Sequence, residues 1–179
     1  MAKNDYTDFL RDPDQPARRA ELEAFFGPNA HKFLPVYDRL QADFARTGKP
    51  GFSLRGGGFS WPAFLFGPCW FLYRKMWAIA AIVIAAAVAL AFLPIGGGAG
   101  IGIGIALGAF AYRVYVQHAI ARITKLRREN GTIGLDSLRR AGGVSRMAGW
   151  ISGVIYGGIT LLALASVVYL ASIGETVPR

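Results

Sequence analysis

Charged residues are scarce in this sequence, and acidic residues are scarcest in its C-terminal two thirds. Asp, Glu, Lys and Arg make up 17% of the 179 residues, whereas soluble domains carry about 25%. Only Glu129, Asp136 and Glu175 follow position 58 as acidic residues, and none lies within the apolar segments. The sequence therefore offers no acidic group for a proton relay or a cation pathway through those segments.

Cysteine and histidine are almost absent. The single cysteine, Cys69, excludes an internal disulfide and stands too isolated for a metal site. His31 and His118 lie far apart in the sequence, and neither has a Cys, Asp or Glu at ligand spacing. We find no combination of residues typical of catalysis, and we expect a protein that is not an enzyme and that uses no metal or other cofactor.

Long apolar runs are what the sequence has instead. Residues 76–112 carry no charge, and a second uncharged run covers 147–174. A helix that crosses a membrane needs ~20 apolar residues, so the first run is long enough for two helices, with the break at 94–98. We expect an all-α integral membrane protein with three transmembrane helices, at about 76–93, 97–115 and 148–173.

Residues 1–58 have a different composition, with nine Lys/Arg and eight Asp/Glu. No apolar run marks a secretory signal, and we expect residues 1–15 to be loose. Helices are predicted from Pro16 and from about residue 33. An apolar stripe on the second helix is expected to pack against the protein, or to dock a partner helix or the membrane surface; it consists of Phe33, Tyr37, Leu40 and Phe44. Residues 1–58 are thus predicted to be an amphipathic, helical, cytoplasmic region that ends in a Gly-rich linker.

The other segments follow from the same patterns. Residues 59–75 are aromatic but too short to cross a membrane, and Gly67-Pro68 interrupts them, so we expect an interfacial or re-entrant element. Residues 76–115 are predicted to form a transmembrane hairpin whose second helix continues into the cytoplasm as far as Gly131. The remaining predicted segments are a basic cytoplasmic helix and loop (116–147), the third transmembrane helix (148–173) and an external tail (174–179).

The basic residues predict the orientation. Ten Lys/Arg residues lie at 74–75 and between 113 and 146, whereas the link at 94–98 has none. Cytoplasmic loops are enriched in Lys and Arg, so we expect a cytoplasmic N-terminus and a periplasmic C-terminus. Basic residues that flank apolar segments favour anionic lipids over nucleic acid as partners. The residues expected to contact lipid headgroups are Arg74, Lys75, Arg127 and Arg128.

Glycines recur every four residues in two of the predicted spans. This spacing places them on one face of each helix, and small residues let helix backbones approach closely in lipid. We therefore expect two packing faces, and the spacing leaves open whether they contact this chain or another protein. The glycines concerned are Gly96, Gly100, Gly104 and Gly108 in the second span and Gly149, Gly153 and Gly157 in the third.

The most distinctive string in the chain is SWPAFLFGPCWFLYRKMW, at 60–77. It resembles an uncharacterised family of bacterial inner-membrane proteins, domain of unknown function 2628. FFGPNAHKFLPVYDRL at 25–40 and YRVYVQHAIARI at 112–123 also look like that family, so the resemblance covers about 24–146. It implies a bacterial inner-membrane protein without an established activity, and it transfers no catalytic residues.

The function expected from these features is that of a non-enzymatic membrane accessory or scaffold protein, such as a subunit of a larger inner-membrane complex. Its partners would be anionic lipids and other membrane subunits or further copies of itself. The alternative is a small transporter or pore that oligomerises through the glycine faces. Polar side chains within the third span are few, which favours the accessory role; they are Ser152, Tyr156, Thr160, Ser166 and Tyr169.

Overall fold

The computed structural model describes residues 3–48, 58–92 and 99–175, and the regular elements within these ranges are all helices. The prediction of an all-helical protein is therefore confirmed. The predicted linker at 49–57, the link at 94–98 with Gly96, and the tail at 176–179 lie outside the described residues. The helices are α1 (Lys3–Arg11), α2 (Gln15–Phe26), α3 (Ala30–Thr47), α4 (Trp61–Phe66), α5 (Pro68–Tyr73), α6 (Trp77–Ala91), α7 (Ala99–Asn130), α8 (Leu135–Ala141) and α9 (Arg146–Glu175), with a 3₁₀ turn at Gly27–Asn29.

The expectation of a loose N-terminus is wrong, because residues 3–11 form α1. This helix buries Tyr6, Phe9 and Leu10, which lie at i, i+3 and i+4 and so share one helical face. The side chain of Asp14 then caps α2 by accepting a hydrogen bond from the backbone N–H of Ala17 at 3.1 Å. These three apolar residues are visible in the sequence, but the polar residues around them led to the prediction of a loose segment.

Helices α1–α3 pack on the C-terminal half of α7, where aromatic rings form the centre of the core. The Phe33 ring centroid lies 4.8 Å from that of Tyr115 and 5.1 Å from that of Phe26. Each large side chain removed from water in this way contributes about 1.5–3 kcal/mol. The predicted stripe on the second helix packs within this core, since its members Phe33, Tyr37, Leu40 and Phe44 are all buried.

Tyr37 shows how the core satisfies a buried polar group. Its hydroxyl donates a hydrogen bond to Gln15 Oε1 at 2.6 Å. Burial, with a smaller contribution from the Asp38 carboxylate, raises the pKa of Tyr37 to about 12. The hydroxyl therefore stays protonated and remains a donor, and this bond fixes the start of α2 against α3.

Helices α4 and α5 form a short hairpin between α7 and α9. The backbone N–H of Ser60 donates to the carbonyl of Gly108 at 2.8 Å, which fixes the start of α4 on α7. A Cβ atom at Gly108 would lie 2.5 Å from the Phe59 ring, and one at Gly104 would lie 3.1 Å from the Phe64 ring. Helix α4 therefore runs along α7 from the level of Gly108 to that of Gly104.

Gly67 turns the chain back between the two short helices, with a φ of +44° that disfavours other residues. Pro68 occupies the first turn of α5, where its missing backbone N–H is tolerated. Helix α5 then returns antiparallel to α9, because Cys69 Sγ donates to the Ser152 carbonyl at 3.3 Å while the Tyr73 carbonyl accepts from Ser145 N–H at 2.8 Å. Both ends of the hairpin thus lie on the side of the aromatic core.

The apolar helices contrast with this packed part of the chain. By length and composition, two stretches are long and apolar enough to cross a membrane: Gly100–Asn130, which belongs to α7, and Leu135–Tyr169, which contains most of α9. Helix α6, within the first predicted span, is apolar but has only 15 residues. Large apolar side chains stay exposed along α6 and α9, among them Ile82, Val88, Leu162 and Val168.

The contact between α4 and α7 generates a prediction about Gly108. A leucine at this position must displace the Phe59 ring, and overpacking of this kind costs about 1–3 kcal/mol. We expect Gly108→Leu to lower the thermal unfolding temperature in mild detergent. Gly100→Leu is the matched control, because a Cβ atom at Gly100 meets no other atom within 4 Å. Equal unfolding temperatures for the two variants would contradict the packing described.

Candidate functional site

An open groove of about 630 Å³ lies between the α4–α5 hairpin and the first turns of α9. Its walls are largely aromatic and its floor consists of small residues. Because α5 and α9 are antiparallel, the residue that follows α5 and the residue that begins α9 lie at the same end of the groove. The walls are Pro62, Phe66, Trp70, Tyr73 and Trp150, the floor is Cys69, Gly149 and Gly153, and the cationic end is Arg74 and Arg146.

Gly149 sets the width of this groove. A Cβ atom at Gly149 would lie 2.7 Å from the Tyr73 ring, so only glycine lets α5 approach α9 this closely. The neighbouring Ser152 satisfies its own hydroxyl by donating to the Ala148 carbonyl at 2.6 Å, which leaves no polar hydrogen to direct into the groove. The floor is therefore narrow and presents little polar surface.

Arg74 is the most unusual residue of the site. Its side chain is buried, with 8% of the residue exposed, and its guanidinium carbon lies 4.9 Å from the Phe33 ring centroid and 5.0 Å from that of Tyr115. Trp70 and Tyr73 contact it at 5.9 and 5.7 Å. Each such contact between a cation and an aromatic ring contributes about 0.5–2 kcal/mol.

Around these rings, part of the hydrogen-bonding capacity of Arg74 stays unused. Its Nε and Nη1 atoms are buried without a hydrogen-bond partner in the described part of the chain, as is the Tyr115 hydroxyl. Among residues 3–48, 58–92 and 99–175, the ion pairs of the structure do not include a carboxylate on Arg74. A buried cation without a counter-ion is costly. The site therefore holds a buried cation that no carboxylate of the described residues neutralises.

The other residues predicted to contact lipid headgroups do not line the groove. Lys75 Nζ donates to the carbonyls of Arg140 and Gly142 at 3.1 and 2.7 Å, and this lysine has a left-handed φ of +60°. Arg127 Nη2 pairs with the Glu21 carboxylate at 2.6 Å. Lys75 and Arg127 are thus bonded within the chain, which the sequence did not suggest. Headgroup contact stays a prediction for Arg74, Lys75, Arg127 and Arg128.

The predicted glycine faces divide into two groups. Gly104, Gly108 and Gly149 contact aromatic rings of the α4–α5 hairpin and of the residues flanking α4, so they pack within the chain. Gly100, Gly153 and Gly157 face open space, because an added Cβ atom would meet nothing within 4 Å. Gly96 lies outside the described residues. In each helix, therefore, only part of the predicted face is used by this chain.

Sequence reasoning missed a further close contact, at Gly142. A Cβ atom there would overlap the Phe25 carbonyl oxygen, and the adjacent Gly143 N–H donates to the same oxygen at 2.9 Å. The end of α8 therefore rests directly on the end of α2. The signal in the sequence was the glycine pair that follows the basic last turn of α8, a pattern typical of a helix end.

Among the residues that the structure describes, no group of three or more His, Cys, Asp or Glu comes together. The groove presents a buried guanidinium, a second arginine that is exposed, and largely apolar walls. These properties suit the binding of an anion that carries an apolar part.

Comparison with known proteins adds one match. Residues 39–120 match the model of a family described as protein of unknown function (DUF2628), a narrower range than the 24–146 of the resemblance seen in the sequence. The matched range includes the α4–α5 hairpin, α6 and most of α7 up to Ile120. Neither a curated protein nor a solved structure matches the chain. Residues 39–120 are therefore similar to the family of proteins of unknown function DUF2628, as the aromatic motif at 60–77 predicts.

Proposed function

We propose that this protein is a non-enzymatic accessory or scaffold protein of the bacterial inner membrane, with three spans, a cytoplasmic N-terminus and a periplasmic C-terminus. The observation that carries the proposal is the exposed apolar surface of α9. Val154 and Leu162 are each 70% exposed, and similar side chains continue along the helix. Soluble monomers rarely expose a continuous apolar surface of this extent, whereas lipid is its favoured environment.

The α4–α5 hairpin supports a re-entrant element rather than an interfacial one. Both of its ends lie beside the aromatic core, while its turn lies along α7 toward Gly104. Leu65 and Phe66, next to the turn, are 53% and 51% exposed. Apolar side chains at the tip of the hairpin are compatible with hydrocarbon. The tip therefore enters the lipid and the ends remain near the headgroups.

In the proposed three-span arrangement, α6 is the first transmembrane span because all of its residues are apolar. At 1.5 Å per residue its 15 residues cover about 22 Å, and the hydrocarbon core is about 30 Å thick. The predicted span of 76–93 is three residues longer than α6. Local thinning of the bilayer can accommodate a short span at a cost of fractions of a kcal/mol per Å.

The hydroxyl groups of α9 favour the accessory role over a transporter or pore. Thr160 donates to the Tyr156 carbonyl at 2.8 Å, and Ser166 donates to the Leu162 carbonyl at 2.8 Å. These groups are satisfied by their own helix and present little polar surface to a water-filled pathway. The open face at Gly157 instead lets a helix of another subunit, or of a second copy, approach closely.

The topology can be tested with reporter fusions after Arg46, Gly97, Asn130 and Arg179. We expect cytoplasmic signals after Arg46 and Asn130 and external signals after Gly97 and Arg179, because the basic residues at 74–75 and 113–146 should stay on one side. A cytoplasmic signal after either Gly97 or Arg179 would overturn the three-span proposal.

The accessory role can be tested by Gly157→Leu. The leucine would project into open space in this chain, so folding should be unaffected, but it would hold a partner helix away. We expect the thermal unfolding temperature to stay constant and co-purification of a partner subunit or a second tagged copy in mild detergent to fall at least tenfold. Gly158→Leu is the control, since it makes the same change in open space about 100° around the helix. Full retention of every partner by Gly157→Leu would count against this role.

A further inference from the structure

We infer that the groove between the α4–α5 hairpin and α9 binds one anionic phospholipid, with its phosphate on Arg74 and Arg146 and an acyl chain along Phe66 and Trp150. The inference rests on the proposed membrane location, since the groove must open at the level of the headgroups. It goes beyond general attraction of basic residues to a negative membrane, because it assigns one binding site with defined walls.

The cationic end of the groove carries the choice of an anion. Arg74 is more than nine-tenths buried, it lines the groove, and its Nε and Nη1 atoms have no hydrogen-bond partner among the described residues. Planar guanidinium groups bind phosphate oxygens through two parallel hydrogen bonds. The aromatic rings fix the guanidinium in place before the anion arrives, so little conformational entropy is lost on binding.

Arg146 supplies a second positive charge from the opposite wall. It begins α9 and is exposed, whereas Arg74 follows α5 and is buried. Because α5 and α9 are antiparallel, both arginines lie at the end of the groove nearest the aromatic core. That end lies on the cytoplasmic side in the proposed topology, where anionic lipids give the membrane surface its negative potential.

The apolar part of the groove distinguishes a lipid from a free phosphate. Phe66 and Trp150 line the groove and are also exposed, Trp150 by 77%, so the groove is continuous with the outer apolar surface of α9. An acyl chain can leave the groove along this surface into the bilayer. Inorganic phosphate would leave these walls unused, and a volume of about 630 Å³ lies within the ~300–1,000 Å³ of typical ligand sites.

The test uses the full chain in a mild neutral detergent and follows tryptophan fluorescence, because Trp70 and Trp150 line the groove. Brominated phosphatidylglycerol is compared with brominated phosphatidylcholine as the quencher. We expect saturable quenching by the anionic lipid at concentrations at least tenfold lower than those needed for the zwitterionic lipid. Equal concentration dependence for the two lipids, or no saturable quenching by either, would overturn the inference.

Charge removal identifies the arginines involved. Arg146→Gln should weaken phosphatidylglycerol binding about fivefold, the effect of one basic residue at an anionic surface, and Arg74→Gln should weaken it more. Arg140→Gln is the control, because this arginine is exposed and lies outside the groove. An effect of Arg140→Gln as large as that of Arg146→Gln would show that only the overall charge matters and would refute the assigned site.

A steric variant keeps the inference testable even if Arg74→Gln fails to fold. Gly153→Leu fills the floor of the groove, while an added Cβ atom there meets no atom of the chain within 4 Å. We expect it to abolish saturable quenching by phosphatidylglycerol, whereas Gly158→Leu retains it. Retention by Gly153→Leu, or complete displacement of the lipid by inorganic phosphate, would contradict the lipid site.

These outcomes are separable from those of the proposed function. A chain that remains in membranes after an alkaline wash but shows no saturable phosphatidylglycerol binding would keep its proposed membrane role and lose the lipid site. A chain that the alkaline wash releases would refute the membrane role itself.

Discussion

The hydrophobic effect on apolar helix surfaces determines how the helices of this structure are arranged. On one side of Arg74, aromatic side chains of α1–α3 and α7 are buried against each other. On the other side, α6 and α9 expose rows of Ile, Leu and Val. Helix α7 passes through both parts without interruption from Ala99 to Asn130. The described part of the chain therefore has one packed end and one end whose apolar side chains are exposed.

The boundary between these two ends is built from a few close contacts. Gly108 and Gly149 allow aromatic side chains to pack directly against α7 and α9. Lys75 bonds the end of α8, and the Phe25 carbonyl accepts from Gly143, so the boundary is joined to the N-terminal helices. Arg74 lies in the middle of this arrangement with unused hydrogen-bond donors. This buried cation is thus located between the packed core and the exposed apolar helices.

The composition of the sequence was sufficient to predict where the long apolar helices lie. The uncharged runs predicted the positions of α6, α7 and α9, and the stop at Gly131 follows α7 directly. Periodicity indicates which face of a helix is apolar but not what covers it. It could not show that Arg127 pairs with Glu21, 106 positions away, or that Gly108 and Gly149 accommodate side chains from one short hairpin. Such contacts depend on the turn at Gly67, whose direction no local pattern specifies.

If the proposed location is correct, the boundary at Arg74 coincides with a membrane surface. Spin labels at single cysteines, introduced after replacement of Cys69, the sole native cysteine, test it most directly in vesicles. A label at Leu65, at the tip of the hairpin, should be accessible to oxygen and shielded from a polar nickel complex, whereas a label at the exposed His31 of α3 should show the reverse. Equal access of the nickel complex to both labels would contradict the account.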